Sequence, residues 1–295
     1  MDALLSLSND LAGAVAHAGR AVVTVHARHR LPSTGVHWRP GVVVTAEHTV
    51  RRDEEITITA PDGRTRPAIL AARDPGTDLA VMRIEDSELP TADLGDTGAL
   101  RVGHMVLALG YGPRASWGVI SALGGRWRTW RGGEIDQLLR LDLTLYPGFS
   151  GGPLVDARGR VVGLNTSGMS RSLRIAIPVT TVSRVIDELL TRGRVARPYL
   201  GIGTQPVRLP EALSRRLAVP VEGGLIVVNT EPDGPAARAG LLMGDIVVAL
   251  DGTPVRDTDD VQAVLGAKPV GATLTASIIR AGAPTEISIT VGERP

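Results

Sequence analysis

The sequence predicts a mostly β protein of two domains. Short runs rich in Val, Ile and Leu follow one another through the first two thirds of the chain, separated by turns containing Gly, Pro and Asp. The 295 residues include 4 Trp, 3 Tyr and 1 Phe, so the cores must be aliphatic, and β-branched residues favour strands. A chain of 295 residues suits about two domains of ordinary size. Strands at near-even spacing are typical of antiparallel sheets closed as barrels or stacked as a sandwich.

The first part of the chain is predicted to hold one short helix and then strands. Ser8, Asn9 and Asp10 are candidate N-caps for a helix of small residues that ends near Ala18. Turn residues then separate ten apolar segments that we predict to be strands: 21–25, 41–44, 55–60, 67–71, 79–84, 105–110, 117–123, 137–143, 153–156 and 161–166.

The pattern changes to a helical period after residue 180. Apolar residues between Val182 and Leu190 recur at helical spacing, and Gly193 should end this helix. Beyond Arg197-Pro198 we predict strands at 199–204, 224–228, 245–250, 273–279 and 286–291, and helices at 210–217, 235–239 and 258–265. The predicted organisation is an N-terminal helical segment over 1–19, a first domain over 20–193 and a second over 197–295.

Composition excludes several classes of function. The formal charge of +1, from 32 Lys and Arg against 31 Asp and Glu, gives no field that would attract nucleic acid. The absence of cysteine excludes thiolate catalysis, Cys-ligated zinc and iron–sulfur clusters. No apolar run approaches the roughly 18 residues of a membrane span. The acidic, polar start of the chain does not look like a signal peptide, so we expect a cytoplasmic chain or one already trimmed.

The densest chemical signal is the segment from Gly148 to Leu154, G-F-S-G-G-P-L. A serine nucleophile needs a base to take its proton and donors to hold the oxyanion, and glycines let backbone N–H groups turn inward as donors. The pattern G-x-S-x-G also fits the nucleophile elbow of α/β-hydrolases, in which the base follows the serine. All six histidines precede Ser150, which excludes that alternative; they are His17, His26, His29, His37, His48 and His104.

One histidine and one aspartate occupy positions suited to a catalytic triad. His48 directly follows the apolar strand at 41–44, and Asp78 stands 78 − 48 = 30 residues later at the start of another strand. A histidine after a strand is often structural, and an aspartate there often caps a turn, so neither residue is specific alone. His26 and His29 lie close together without a convincing third ligand, and we predict no metal site and no organic cofactor.

Taken together, the three motifs resemble those of trypsin-like serine proteases of the Deg/HtrA family. The family has motifs like T-x-x-H-V-V, T-D-L-A-V and G-N-S-G-G-P-L, which match the segments around His48, Asp78 and Ser150. The resemblance implies a double six-stranded antiparallel β-barrel in which these residues are base, orienting carboxylate and nucleophile. It also implies an oxyanion hole at Gly148, Phe149 and Ser150, with the N–H groups of Gly148 and Ser150 as its donors.

The chain departs from the family pattern at two places. Phe149, the only phenylalanine of the chain, replaces the family's Asn before the nucleophile. Where relatives often show G-F-A-I-P, this chain has Arg174-Ile175-Ala176-Ile177-Pro178. We expect Ile175 and Ala176 to line a substrate pocket for a small or medium apolar residue, since no acidic residue is there to favour Arg or Lys.

The second domain resembles an α+β PDZ module. Tyr199, Leu200, Gly201 and Ile202 match the loop that binds a peptide's terminal carboxylate, and the segment 234–247 continues the resemblance. Val261 and Leu265, on the helix predicted at 258–265, would form the other wall of the peptide groove.

Together the resemblances imply a serine endopeptidase that cleaves unfolded or misfolded polypeptides in protein quality control and recognises hydrophobic C-termini. An alternative is a proteolytically weak or inactive PDZ scaffold or chaperone, which Phe149 and the crowded Ile175 region favour. Relatives are often periplasmic or in the cell envelope and form trimers, usually through N-terminal aromatics that this chain lacks. The Arg- and Trp-rich segment 125–133 is predicted to be a surface loop whose Trp side chains pack against the body.

Overall fold

The computed structural model describes residues 3–29, 31–85, 88–112, 114–170, 173–210 and 223–293. The chain forms two compact units, Met1–Val195 and Ala196–Pro295. The helix predicted at 210–217 lies, apart from Pro210, outside the described residues.

Unit 1 contains two closed antiparallel barrels. The strands of the first are β1 (Val22–His26), β2 (Ser33–Arg39), β3 (Val42–Ala46), β4 (Ile56–Thr59), β5 (Thr65–Asp74) and β6 (Leu79–Arg83), in the order β1-β2-β3-β6-β5-β4. The strands of the second are β7 (Met105–Gly110), β8 (Arg114–Gly124), β11 (Leu138–Asp142), β12 (Pro153–Asp156), β13 (Val161–Thr166) and β14 (Arg174–Pro178), in the order β11-β14-β13-β12-β7-β8. The double six-stranded barrel that the resemblance implies is confirmed.

All strands predicted for the first domain correspond to observed strands. Each of the ten predicted segments overlaps a strand, but β2 and β14 were not predicted as strands. All residues of β2 except Arg39 are buried, including Ser33, Thr34 and His37, so the strand shows neither alternation nor an apolar run. Polar residues can be buried here because they are hydrogen-bonded, as His37 is to the carbonyl of Pro90 at 3.1 Å.

The helices of unit 1 pack against the barrels. The first helix, α1 (Ala3–Gly19), begins before the predicted caps Ser8, Asn9 and Asp10, which lie inside it. The predicted start was wrong because Ala and Leu, which favour helix, extend the helix toward the N-terminus. The second helix, α2 (Val179–Arg192), ends at Gly193 as predicted.

One hydrophobic core joins both barrels and both helices. It contains Val36, Val44 and Val81 of the first barrel, Leu107, Leu164 and Ile177 of the second, Ala14 of α1 and Ile186 of α2. Separate clusters fill the interior of each barrel. Because one core spans the two barrels, residues at their junction are held in a rigid frame.

The Arg- and Trp-rich segment is a small hairpin, β9 (Trp127–Arg128) paired with β10 (Glu134–Ile135). Trp127 is half-buried and packs against the shared core, as predicted. Trp130 is 74% exposed, with the guanidinium of Arg131 4.6 Å from its ring centroid, so the prediction that both tryptophans pack inward was wrong for Trp130. The Thr129 hydroxyl donates a hydrogen bond to the carbonyl of Gly76 at 2.7 Å, which ties the hairpin to the turn before Asp78.

Unit 2 is an α+β fold around its own core. Its main sheet runs β16-β17-β18-β20-β21, with β19 pairing β18 at the side, and β15 pairs β22 separately. The strands are β15 (Pro198–Tyr199), β16 (Ile202–Arg208), β17 (Gly223–Thr230), β18 (Ile246–Leu250), β19 (Thr253–Pro254), β20 (Thr273–Arg280), β21 (Ala283–Thr290) and β22 (Gly292–Glu293). Two helices, α3 (Pro235–Arg238) and α4 (Thr258–Gly266), agree with the predicted segments.

An ion pair in unit 2 joins the buried carboxylate of Asp245 to the partly exposed guanidinium of Arg280. Both carboxylate oxygens of Asp245 accept hydrogen bonds from Arg280, at 2.8 and 2.6 Å, and one also accepts the Leu242 N–H. Burial alone would raise the pKa of Asp245, but the bonds from Arg280 and Leu242, with the charge of Arg280, outweigh burial and lower that pKa. The contribution of this pair to stability is therefore present above the ordinary Asp pKa and is lost as the pH falls through the lowered value.

Two glycine substitutions in unit 1 should have opposite effects. Gly193 has φ +73°, where a Cβ is strained, so Gly193→Ala should lower the free energy of unfolding by about 1 kcal/mol. Gly13 lies inside α1 with open space around it, so Gly13→Ala should raise that free energy by about 0.5–1 kcal/mol. Urea unfolding followed by circular dichroism measures both. Equal shifts of the same sign would show that backbone conformation does not govern the effect at these two positions.

Candidate active site

His48 and Asp78 meet because β3 and β6 are neighbouring antiparallel strands. Ala46, the last residue of β3, pairs with Leu79, the first residue of β6. The residues just beyond these ends therefore face each other, and the His48 Nδ1 lies 2.8 Å from Asp78 Oδ2 and 3.0 Å from Oδ1. This contact fixes the imidazole ring and leaves Nε2 on its other side.

The Asp78 carboxylate is buried and fully engaged. It is 4% exposed, accepts the His48 backbone N–H at 2.8 Å and accepts the Thr166 hydroxyl. Thr166 is the last residue of β13, so a residue of the second barrel supports a carboxylate of the first. A buried carboxylate held by three donors is a fixed negative charge, suited to stabilising an imidazolium.

The turn that leads into Asp78 is strongly restrained. Asp78 itself has φ +55°, in the left-handed region that is uncommon for residues other than glycine. The Asp74 carboxylate accepts hydrogen bonds from the Thr77 N–H at 3.1 Å and from the Thr77 hydroxyl at 2.6 Å. These bonds hold the turn that imposes the unusual backbone of Asp78.

Ser150 is brought to the junction by the pairing of β12 with β13. The Gly151 N–H donates to the Asn165 carbonyl at 2.9 Å, and the Asn165 N–H donates to the Gly152 carbonyl at 2.8 Å. Gly151 has φ +86°, and a Cβ there would overlap the carbonyl oxygen of Thr34 in β2. A glycine after the nucleophile is therefore required both by the backbone and by the approach of the first barrel.

A second serine, Ser167, contacts Ser150. The Ser150 Oγ lies 3.0 Å from the Ser167 Oγ, which in turn lies 3.5 Å from the His48 Nε2. Among the described residues, no hydrogen bond joins Ser150 Oγ directly to His48. The structure thus brings all three predicted residues to one place, with Ser167 between Ser150 and His48.

The sequence patterns did not identify Thr166 and Ser167. Their signal is a pair of hydroxyl residues followed by Gly168 at the end of a buried strand, which is too common a pattern to predict a site. Thr34 was also missed: its hydroxyl donates to the Gly148 carbonyl at 2.6 Å and accepts the Tyr111 N–H at 2.9 Å. These contacts are 114 and 77 residues apart in sequence, so only the fold reveals them.

The segment predicted to form the oxyanion hole has two available donors. In the described part of the chain, the backbone N–H groups of Gly148 and Ser150 make no hydrogen bond. The Phe149 N–H, in contrast, donates to the Tyr146 carbonyl at 3.0 Å, so Phe149 is not a third donor of this segment. This hydrogen bond closes the turn that carries Gly148, whose φ is +91°.

Phe149 is a core residue. Its side chain is fully buried in the second barrel with Ile120 and Leu154. The Tyr146 ring packs edge-on against it, with centroids 5.5 Å apart. The ring also lies where a side chain on Gly110 would have to be. Phe149 therefore anchors the loop of the nucleophile and does not project toward a substrate.

The predicted pocket residues do not act together. Ile175 and Ala176 are consecutive in β14, which pairs regularly with β11 and β13, so their side chains point to opposite faces. Ala176 faces the core that contains Phe149, and Arg174 lies on the same face as Ala176. The expectation that Ile175 and Ala176 wall one pocket was therefore wrong.

Unit 2 has a groove at the predicted carboxylate loop. Tyr199, Leu200, Gly201 and Ile202 line one side of a cavity of about 60 Å³, and Val261 and Leu265 of α4 lie among the residues of the other side. The Leu200 carbonyl accepts the N–H of Ala236 at 2.9 Å, which fixes the loop against α3. The lining of the groove is mixed, since Thr204, Thr258 and Gln262 lie among its apolar side chains.

The same described ranges contain no cluster of metal-binding side chains. No group of three or more His, Asp or Glu residues there could hold a metal ion. The His26 Nε2 is 2.9 Å from the Thr59 hydroxyl. No helix of the described chain is long and apolar enough to cross a bilayer.

Two closed barrels have a histidine, an aspartate and a serine at their junction. This arrangement defines a class of protein, the trypsin-like fold with the three side chains of a serine protease. Comparison with known families agrees. A model of the trypsin-like peptidase domain matches residues 33–164, and a model of the PDZ domain matches residues 198–291.

Individual relatives carry the same two parts. One relative, from Pseudomonas fulva, is described as "Probable periplasmic serine endoprotease DegP-like". It is 34% identical over 266 residues, covering 87% of this chain and 54% of the relative. A protein of the same description from Brucella suis is 35% identical over 266 residues, covering 86% of this chain and 51% of the relative. The chain thus spans about half the length of these relatives.

Solved structures match over nearly the whole chain. The HtrA-type protease AlgW with tripeptide superposes with a TM-score of 0.72 at 31% identity, covering 97% of both chains. The serine endoprotease from Yersinia pestis gives 0.76 at 29% identity, covering 97% of this chain and 98% of the other. The chain belongs to the Deg/HtrA family of trypsin-like serine proteases with a C-terminal PDZ domain.

A side chain at position 168 should disable the His48–Asp78 pair. A Cβ on Gly168 would lie 2.7 Å from both His48 Nδ1 and Asp78 Oδ2. We expect Gly168→Ala to reduce labelling of Ser150 by a fluorophosphonate probe at least about ten-fold. The added methyl would separate the His48 imidazole from the Asp78 carboxylate, and the imidazole, which is the candidate base, would lose the group that orients it. The control is Gly125→Ala, where the added methyl meets open space and labelling should stay at the wild-type rate. Equal labelling of the two variants would show that this contact does not matter.

Proposed function

We propose that the protein is a serine endopeptidase with His48, Asp78 and Ser150 as its catalytic triad. The observation that carries this proposal is the convergence of the three side chains at one barrel junction: His48 contacts Asp78 directly, and Ser167 contacts both His48 and Ser150. The serine endoprotease names of the relatives support the same reading.

The proposed reaction follows from the positions of these groups. The Ser150 oxygen attacks the peptide carbonyl carbon while its proton passes to His48 Nε2. The tetrahedral intermediate then collapses, the C–N bond breaks and His48 returns the proton to the leaving amine. Water attacks the resulting acyl-enzyme in the same way, and Asp78 remains ionised and stabilises the imidazolium throughout.

The free N–H groups of Gly148 and Ser150 are the proposed oxyanion donors. They would hold the negative oxygen of the intermediate, and each such donor is typically worth a factor of about 10²–10³ in turnover. Thr34 supports this role because its hydrogen bond to the Gly148 carbonyl restrains the same loop.

We propose that the substrates are unfolded or misfolded polypeptides, cut after small or medium apolar residues. The β14 residues that follow the exposed Arg174, namely Ile175, Ala176 and Ile177, are buried and aliphatic, and none of them is acidic. The name of the periplasmic relatives supports action outside the cytoplasm, and a role in protein quality control is part of the same proposal.

Unit 2 is proposed to bind hydrophobic C-termini. The backbone N–H groups of the loop 199–202 would receive the terminal carboxylate while β16 pairs with the peptide. The AlgW structure described as containing a tripeptide supports peptide recognition in this family.

A second candidate is a weakly active or inactive scaffold that uses unit 2 for recognition. Phe149 does not favour it, because that side chain is part of the core. The observation that does favour it is the position of Ser167, whose hydroxyl separates the Ser150 oxygen from the base.

Labelling and digestion decide between these two functions. Wild-type protein should react with a fluorophosphonate probe and digest casein, whereas Ser150→Ala should do neither. Mass spectrometry of the fragments should show cuts mainly after Ala, Val, Leu or Ile. Absence of labelling and of cleavage in the wild type would favour the scaffold, and cuts after Lys or Asp would refute the apolar preference.

Peptide binding tests the second unit separately. A fluorescent peptide that ends in a free apolar residue should bind full-length Ser150→Ala, which cannot digest it. Amidation of its terminal carboxylate should weaken binding at least about ten-fold, since the backbone donors then lose a charged acceptor. A terminal Asp in place of the apolar residue is the matched control for side-chain specificity. Equal affinities for all three peptides, measured by fluorescence anisotropy, would rule out carboxylate capture by this groove.

A further inference from the structure

The hydroxyl of Ser167 lies between the proposed nucleophile and the proposed base. Its oxygen is 3.0 Å from the Ser150 Oγ and 3.5 Å from the His48 Nε2. The Ser167 backbone N–H also donates to the Ser150 Oγ, at 3.3 Å. One residue therefore contacts both reacting side chains, and contacts Ser150 twice.

The tautomer of the His48 imidazole determines which atom donates and which accepts in these contacts. The His48 Nδ1 faces the Asp78 carboxylate, so in the neutral ring Nδ1 carries the proton and Nε2 is the acceptor. The Ser167 hydroxyl then donates to Nε2, and its oxygen accepts the proton of the Ser150 hydroxyl. In this arrangement the Ser150 hydroxyl donates to Ser167 and not to Nε2, and Nε2 accepts only a long hydrogen bond from Ser167.

The alternative is that Ser167 relays the proton of Ser150 to His48, and the distances do not favour this relay. A catalytic base normally lies about 2.6–3.2 Å from the proton donor that it serves. The 3.5 Å separation between the Ser167 oxygen and Nε2 is at the outer limit of a hydrogen bond. A direct contact between Ser150 and His48 would be shorter, and Ser167 stands in its place.

We propose that Ser167 is a positioning residue that holds Ser150 in a resting orientation, turned away from His48. This inference rests on the proposed function of Ser150 and His48. Release requires the Ser167 hydroxyl to turn aside and the Ser150 side chain to rotate toward His48. Ser167 is exposed, so its hydroxyl can turn to water without leaving a buried unsatisfied group, and the backbone next to Ser150 keeps its position through the bonds between Gly151, Gly152 and Asn165. A bound substrate that displaces the Ser167 hydroxyl would let Ser150 reach His48.

The test compares full-length wild-type protein with Ser167→Ala. The substitution removes the competing hydroxyl and retains the backbone N–H that contacts Ser150. We expect the rate of fluorophosphonate labelling, and kcat on a short peptide, to rise about five-fold, the factor of one neutral hydrogen bond of average strength. KM should not change. Ser167→Thr retains the hydroxyl and should be labelled more slowly than Ser167→Ala.

Two controls make the result specific. Ser170→Ala removes a hydroxyl from the same segment, where it accepts the Leu173 N–H at 3.0 Å, and should leave labelling unchanged. Ser150→Ala defines the background. A thermal unfolding curve for each variant shows whether the fold is intact, and a rate change that merely follows a loss of fold would appear in Ser170→Ala as well.

The outcomes separate this inference from the proposed function. A rise in labelling with Ser167→Ala supports the resting orientation. A fall would show that Ser167 passes the proton on, and an unchanged rate would show that it is a bystander; either result overturns the inference while the triad stands. If neither the wild type nor Ser167→Ala exceeds the Ser150→Ala background, the proposed function fails together with it.

Discussion

The buried carboxylate of Asp78 links the two barrels at the candidate site, and every other group there is positioned relative to it. It lies at the start of a strand of the first barrel, and it is held by His48 from the same barrel and by Thr166 from the second. An ionised group that is almost fully buried must be satisfied by donors, so this carboxylate fixes the relative position of the two barrels where the chemistry is proposed. The core shared by both barrels makes that position rigid.

The loop of the nucleophile is built on the same frame. Phe149 buries its ring in the second barrel, and Thr34 of the first barrel holds the adjacent carbonyl of Gly148. The loop is thus anchored from both sides, by apolar packing and by a hydrogen bond. This explains how an aromatic residue can precede the nucleophile without entering the site: the side chain is structural, and the groups that face the junction belong to the backbone.

In unit 2, side chains and backbone also have separate roles. The apolar side chains of the loop 199–202 and of α4 give the groove the apolar part of its lining, while backbone N–H groups are the proposed recognition elements. The family to which the chain belongs combines these two units, and the chain spans about half the length of the curated relatives that it matches. The proposed activities of the two units rest on separate groups of residues, so each can be tested without the other.

Local patterns in the chain were enough to predict the mostly β class, the helix ending at Gly193 and the three candidate catalytic residues, because each depends on periodicity or on a motif of few residues. They did not reveal β2 or β14, and a strand such as β2, buried on both faces with polar residues, shows no alternation. The contacts of Thr34, Thr166 and Ser167 and the burial of Phe149 emerged only from the folded chain. Hydrogen bonds between segments 77 to 119 residues apart depend on how two barrels close against each other, and no local pattern carries that information.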